Sequence, residues 1–433
     1  MGVRLHDTTG TVGLGAERLE ARTLLATYHV APTGTDAADG SAGAPFLTIQ
    51  RGLDAAVVPG DTVLVQAGTY RERPVFRAGG TPTGGPITLA AAPGPRPVID
   101  ADGIGGPNEH VITIVGRSAV TVTGFEIRNN RVIDEGAAIF VSGSGRGITI
   151  RDNLLHDLRG TNAMGIAVYG TGRLPLDEVT IEGNVVHDAE PAPSEAVVVN
   201  GNVTRFLIAD NHVHDVNNIG IDVIGGERDV HPSRGARDGI VRGNVVERAR
   251  SAYGGGYAAG VYVDGGRRVL VEANVCRDND LGIEVGAEHR GWHTFGVTVR
   301  GNLLVGNGKA GLVFGGYAAE VGRVHHCSFL ENTVVGNDAS GTGVGQVWIQ
   351  RAHDCRILDN AVTAAADGRL VTAEAAGSRI LLDRSTYRRP AAATAAAVAW
   401  NGRRFATLAD FTRRTGHDRH STLEETGDPA GVG

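Results

Sequence analysis

Ile148-Thr-Ile-Arg-Asp-Asn153-Leu-Leu-His-Asp157 and Val179-Thr-Ile-Glu-Gly-Asn184-Val-Val-His-Asp188 are two copies of one phrase. The phrase returns around Asn211, Asn244, Asn274, Asn302, Asn332 and Asn360, at successive spacings of 31, 27, 33, 30, 28, 30 and 28 residues. A helical repeat of that length would need two amphipathic helices per unit. Each unit instead carries short β-branched runs that alternate with polar residues and are broken by Gly, Asn and Asp. The units therefore read as strands and turns, stacked as coils about 4.8 Å apart. The asparagines read as structural: placed at a sharp turn, each side-chain amide bonds to the ones above and below and forms a ladder.

The fold class that follows is all-β, a right-handed parallel β-helix. A solenoid also accommodates 433 residues without several globular cores, because each coil needs only its neighbours. The 64 glycines and the 5% aromatic content suit many tight turns around a thin core of small side chains. Open sheet edges must be capped. Residues 46–56 read as a short amphipathic helix at the N-terminal end, with residues 63–70 as the first clear strand and turn. Residues 404–414 read as a second helix over the last coil. The expected organisation is a poorly ordered segment over 1–26, the β-helix over 27–390 and a C-terminal cap and tail over 391–433.

The net charge of −7 is spread without blocks, so no nucleic-acid footprint is present. No apolar run reaches the roughly 18–20 residues of a membrane span. Arg4, Glu17, Arg18, Glu20 and Arg22 interrupt any secretory apolar region. Residues 17–26 resemble a short N-terminal segment of exported bacterial surface proteins. Cys327 and Cys355 each stand five residues before a ladder asparagine. They should stack about 5 Å apart, a separation that a disulfide tolerates, although an inward column of core thiols explains them better.

A resemblance to a family adds to this. Tyr28-His-Val-Ala-Pro-Thr-Gly-Thr-Asp36, Ala44-Pro-Phe-Leu-Thr-Ile-Gln50, Pro59-Gly-Asp-Thr-Val63 and Ala67-Gly-Thr-Tyr-Arg71 resemble the N-terminal signature of bacterial pectin-lyase-like β-helix proteins. Gly260-Val-Tyr-Val-Asp-Gly-Gly266, Leu281-Gly-Ile-Glu-Val-Gly-Ala-Glu-His289 and the closing Trp400-Asn-Gly with Thr415-Gly-His-Asp418 are similar to later parts of that group. The resemblance implies the fold and an exported, carbohydrate-directed role. It does not choose among lyases, hydrolases, epimerases and inert modules.

A second alignable strand places the chemistry. Its members begin at Ile139, Ile166, Ala196, Ile221, Val261, Ile283, Leu312 and Val347. With first and third positions inward, the second positions form an outward column: Phe140, Ala167, Val197, Asp222, Tyr262, Glu284, Val313 and Trp348. The fourth positions form another: Ser142, Tyr169, Val199, Ile224, Asp264, Gly286, Gly315 and Gln350. Three consecutive coils thus gather Asp222, Tyr262, Asp264 and Glu284 beside the insertions 225–238 and 286–296 and the glycine-rich 253–257. Coil spacing puts Asp222 and Glu284 about 9–10 Å apart at Cα, and Asp264 and Glu284 about 8 Å. Separations of about 6.5–9.5 Å suit an inverting glycosidase, and crowding raises the pKa that a general acid needs.

The expected catalytic residues are therefore Asp222, Asp264 and Glu284, with Tyr262 orienting them and Glu227 and Glu288 assisting. Trp292, Tyr253, Tyr257 and Trp348 are candidates for stacking on sugar rings. Arg237, Arg290, His231, His289 and His293 are candidates for hydroxyls or carboxylates. The expectation is an extracellular or cell-surface glycoside hydrolase, monomeric and without a cofactor, acting on a polysaccharide or oligosaccharide. Two alternatives stay open. One is a uronate lyase with Ca²⁺ held at Asp222, Asp264 and Glu284 and with Arg237 or Arg290 as base. The other is a surface module that only binds glycan. A column of His156, His187 and His214, each followed by Asp, offers metal-binding chemistry, but it runs on into Glu247 and Arg277, and stacking along a sheet explains it.

Overall fold

The computed structural model describes residues 25–105, 110–377 and 379–426. Most of the expected leader, 1–26, lies outside them. The chain winds as a right-handed parallel β-helix. Two faces are sheets of 14 strands and the third is a sheet of 12. A small sheet of three strands, His293–Phe295, Arg323–His325 and Ala352–His353, fills one corner.

Alternation within each short strand sends every second side chain inward, where like stacks on like. Ile150, Ile181, Ile208, Val241, Val271, Val299, Phe329, Ile357 and Leu382 are successive partners in one such stack, and all are buried. Each contributes roughly 1.5–3 kcal/mol of burial.

The asparagine ladder runs as the spacing predicts. From Asn153 through Asn184, Asn211, Asn244, Asn274, Asn302 and Asn332 to Asn360, each Nδ2 donates to the next Oδ1 at 2.9–3.0 Å. The left-handed backbone, however, belongs to the residue before each asparagine. Asp152, Gly183, Asp210, Gly243, Ala273, Gly301, Glu331 and Asp359 have φ between 54° and 65°. That bend frees the asparagine to point inward. A second, shorter ladder stands at another corner: Asn279 N–H donates to Asn307 Oδ1 (3.0 Å), Asn307 Nδ2 to Asn337 Oδ1 (2.7 Å) and Asn337 Nδ2 to Gln346 Oε1 (3.1 Å). It anchors the turns that lead into the sheet of 12.

Both ends are closed. Helix α1 (Ile49–Ala55) is capped by Thr48, which accepts from Arg51 N–H, and it buries Ile49 and Leu53 beside Phe46. The first strand precedes it: Thr27–Val30 pairs with Thr62–Val65. Helix α2 (Leu408–Thr415) starts later than expected, because Arg403–Phe405 first turns back antiparallel on Val398–Trp400. Its Phe411 packs on Trp400 and Phe405. Coil strands continue beyond residue 390, ending with Thr422–Thr426 against Thr386–Pro390.

Candidate functional site

The sheet of 12 strands carries the acidic face. Asp222 pairs with Tyr262, and Tyr262 with Glu284, in Ile221–Ile224, Ala259–Asp264 and Leu281–Gly286. Asp264 pairs with Gly286, Glu284 with Val313, and Val313 with Trp348. One rung departs from the expected register. Val198, not Val197, pairs with Ala167 and Asp222, and Asn200, not Val199, pairs with Tyr169 and Ile224. Ala196-Val-Val-Val199 has no polar alternation, so period two could not be read there.

Although these columns point away from the coil interior, the inserted loops cover them. Asp222 is 2% exposed, Tyr262 4% and Asp264 5%, while Glu284 is half-buried and Glu288 exposed. The insertion after Ile224 folds back through bridges of Ile224 to Gly265 and Gly225 to Gly235. The chains approach so closely that a Cβ on Gly265 (φ 81°) would lie 2.0 Å from Gly225 O. Beside this hairpin, Gly226, Glu227, Arg228, Asp229, His289 and Arg290 line a cleft of about 820 Å³.

The polar contacts inside are few. Asp222 Oδ1 accepts from Val223 N–H (2.6 Å) and from Asp264 N–H (3.4 Å). Asp264 Oδ1 accepts from Glu288 N–H (2.7 Å), and Tyr262 hydroxyl donates to Glu288 Oε1 (3.3 Å). His289 Nε2 lies 3.9 Å from Glu227 Oε1 and 4.0 Å from Asp264 Oδ2, joining the cleft to the carboxylates beneath it. Burial, reinforced by Glu195 and Asp264, holds the Asp222 carboxyl well above its ordinary range. Burial and then Glu288 do the same for Asp264, against the lowering effect of the Glu288 N–H. Glu284 is pushed up to about 8 by burial and Glu288, with Lys309 opposing. Glu195 is pushed up to about 8 by burial, Glu227 and Glu288.

Glu195 and Asn200 were missed from the sequence. Glu195 stands before the aligned strand windows, and Asn200 was hidden by the shifted register. Asn200 Nδ2 donates to Glu227 Oε2 at 2.6 Å, which places Asn200 in the cluster. Among the described residues, no group of three or more His, Cys, Asp or Glu side chains has an arrangement that would hold a metal ion.

Of the remaining candidates, Glu227, His289 and Arg290 line the cleft, and Glu288 precedes His289 with its N–H on Asp264. Tyr253 stands exposed near Glu195 and Glu288, which together with burial raise its pKa. Tyr257 carries Lys309 Nζ at 3.4 Å from its ring centroid. Trp348 packs in an apolar cluster with Tyr262, Leu281 and Val313 that continues the face upward. Four others are engaged elsewhere. Trp292 Nε1 donates to Gly265 O (2.8 Å), Arg267 lies 4.0 Å over its ring, and its other neighbours include Gly225, Gly226 and Gly235; it pins the wall and is not a free platform. His231 is buried, with Nδ1 accepting from Ser233 and Arg234 N–H. Arg237 bonds Asn202 Oδ1 and Gly235 O and bridges Thr204 to Arg267 at a corner. His293 contacts His325 Nε2 (3.1 Å) in the three-stranded sheet.

The other column, His156, His187 and His214, stacks with centroids 5.0 and 4.9 Å apart, each Nδ1 2.7–2.8 Å from the following Asp. Cys327 and Cys355 are free, buried thiols.

Residues 110–334 match the family model described as "Right handed beta helix region". A relative, "Uncharacterized protein YwoF" of Bacillus subtilis (strain 168), is 31% identical over 354 residues, covering 79% of this chain and 75% of that protein. Among solved structures, the Streptococcus pneumoniae surface adhesin PfbA aligns with a TM-score of 0.60 at 12% identity, over 79% of this chain and 86% of the adhesin. The GH136 lacto-N-biosidase from Eubacterium ramulus aligns at 0.55 and 14% identity, over 93% of this chain and 67% of the enzyme. The A-module of the Azotobacter vinelandii mannuronan C-5 epimerase AlgE6 aligns at 0.54 and 16%, over 88% and 95%. At such identities the likeness to these three is one of fold.

Proposed function

The chain belongs to the right-handed β-helix family, and on that fold we propose a glycoside hydrolase that acts on an extracellular polysaccharide as a monomer. One observation carries the reading: Asp264 and Glu284 stand one coil apart on one face, Asp264 reaches to 4.0 Å from His289 on the wall of the cleft, and the surroundings of Glu284 keep it protonated up to about pH 8. The register gives a Cα separation of about 8 Å with both side chains on the same face, from which the carboxyl groups can reach the spacing of an inverting pair. Glu284 donates its proton to the glycosidic oxygen as the bond from that oxygen to the anomeric carbon breaks. Asp264 takes a proton from a water that attacks the anomeric carbon from the opposite face. The Glu288 N–H bonded to Asp264 Oδ1 favours the ionised form that a base needs. Asp222, covered beneath, acts through Asp264 as a positioning residue, and Tyr262 holds Glu288. Neighbours in fold that are named as a lacto-N-biosidase and a mannuronan epimerase support a glycan as the substrate class, and leave the reaction to the residues.

Screening plant, algal and bacterial polysaccharides tests this. The expected result is release of reducing ends without an ultraviolet-absorbing product, unaffected by chelator and lost in Glu284→Gln. An absorbing product that vanishes with chelator would replace the reading with a Ca²⁺-dependent lyase. Binding without turnover of any glycan would leave a surface module.

A further inference from the structure

The charge of this face is lopsided. Glu195, Asp222, Glu227, Asp264, Glu284 and Glu288 act on one another across four coils and two loops. For Glu195, Asp222 and Asp264 the charges that matter after burial are other carboxylates. Lys309 opposes them at Glu284, and His289 stands 3.9 Å from Glu227 and 4.0 Å from Asp264. Arg228 and Arg290 stand on the outer rim of the cleft.

A second observation is independent of charge. Asn200 is 2% exposed, and its Nδ2 is committed to Glu227 Oε2. The other arm of the same amide, Oδ1, is buried with no hydrogen-bond partner. A buried acceptor without a donor is costly, and it requires a group that brings N–H or O–H. The unpartnered Asn200 Oδ1 and the Glu227 oxygens beside it are acceptors, so the ligand that completes this end of the site brings donors.

A third observation concerns the wall. Tyr253 is 62% exposed, and its hydroxyl feels the charge of Glu195 and Glu288. A few residues on, Tyr257 already receives an ammonium, that of Lys309, on its ring face. Aromatic faces backed by carboxylates are the surroundings in which ammonium groups bind.

We propose that the site is selective for glycans bearing a free amino sugar, whose ammonium is held by Glu227 and Glu288, next to Asn200 Oδ1 and the Tyr253 ring. The inference rests on the glycan-directed reading of this face and names its substrate class. An ammonium supplies three donors and one positive charge where acceptors and negative charge are in excess. An N-acetylated sugar supplies one amide donor and no charge. A uronate adds a further carboxylate and donates nothing through it.

Equilibrium binding separates these. The full chain is titrated calorimetrically with glucosamine and galactosamine oligosaccharides, with their N-acetylated counterparts of equal length and with oligogalacturonate, at pH 6 and low salt. The amino form is expected to bind at least tenfold more tightly than the acetylated form, with oligogalacturonate weakest. Glu227→Gln is expected to cut that preference at least fivefold, with the circular dichroism unchanged. Equal or tighter binding of the acetylated or uronate form overturns the proposal, as does a preference that survives Glu227→Gln combined with Glu288→Gln. The outcome is distinct from that of the hydrolytic reading. Preferential binding of amino glycans with no cleavage of any glycan refutes hydrolysis alone. Cleavage of neutral glycans without a preference for the amine refutes this proposal alone.

Discussion

Replacing Asp264 with asparagine should stabilise the protein at neutral and alkaline pH while stopping its chemistry. The side chain is almost fully covered, and its carboxyl is held well above the ordinary value of 3.8 by burial and by Glu288, Glu227 and Glu284. In the unfolded chain Asp264 ionises near pH 4; in the folded chain it keeps its proton to higher pH. Between those two values the folded state binds more protons than the unfolded state, so stability is lost as pH rises and is fully present only below about pH 4. The loss is at most about 1.4 kcal/mol for each pH unit between those two values. Asparagine keeps an Oδ1 for the Glu288 N–H now bonded at 2.7 Å, so little is lost in exchange. The expected gain is at least about 1 kcal/mol at pH 7, the cost of one pH unit of displaced titration, and close to zero near pH 3.5, read from urea unfolding at both. Asp264→Asn that destabilises the fold at pH 7, or shifts both pH values equally, would refute the electrostatic account of the cluster.

Two other substitutions probe the frame around it. Asn274→Ala removes the Oδ1 that accepts from Asn244 N–H (3.0 Å) and Nδ2 (2.9 Å), and the Nδ2 that serves Val241 O (3.0 Å). With a buried N–H and carbonyl orphaned, the expected loss is about 2–5 kcal/mol by urea unfolding, and a loss below about 1 kcal/mol would contradict the ladder's role. Trp292→Ala frees Gly265 O and the Arg267 guanidinium and unpins residues 225–238. Limited trypsinolysis should then cut after the exposed Arg228 and Arg234 at least tenfold faster, whereas unchanged cleavage would mean that the ring does not hold the wall.

How much was legible follows from what period two can carry. The repeated asparagines gave the coil, and Ile221-Asp-Val, Val261-Tyr-Val-Asp and Ile283-Glu-Val alternate cleanly, so Asp222, Tyr262, Asp264 and Glu284 fell on the right face. Ala196-Val-Val-Val199 alternates nothing, and a slip of one residue hid Asn200. The paths of the insertions obey no period at all. Trp292 therefore looked free, although four glycines give its ring a place against the backbone, and Arg237 looked close to the carboxylates, although it is tied into a corner. Burial was also invisible: an outward strand residue reads as solvated until the loops that cover it are placed. The second asparagine ladder was within reach, since Asn279, Asn307 and Asn337 each follow a main-ladder asparagine by five residues.

The claim that Glu284 acts as the acid is tested most directly by the pH dependence of kcat/KM on a glycan that the protein cleaves. A general acid works only while protonated, and Glu284 stands at about 8, so activity should hold through neutrality and fall tenfold per pH unit above about 8. In Glu284→Gln it should drop by at least a hundredfold at pH 7, in line with the usual contribution of a general acid. A profile flat to pH 10, or a Glu284→Gln variant that turns over like the parent, would contradict the assignment.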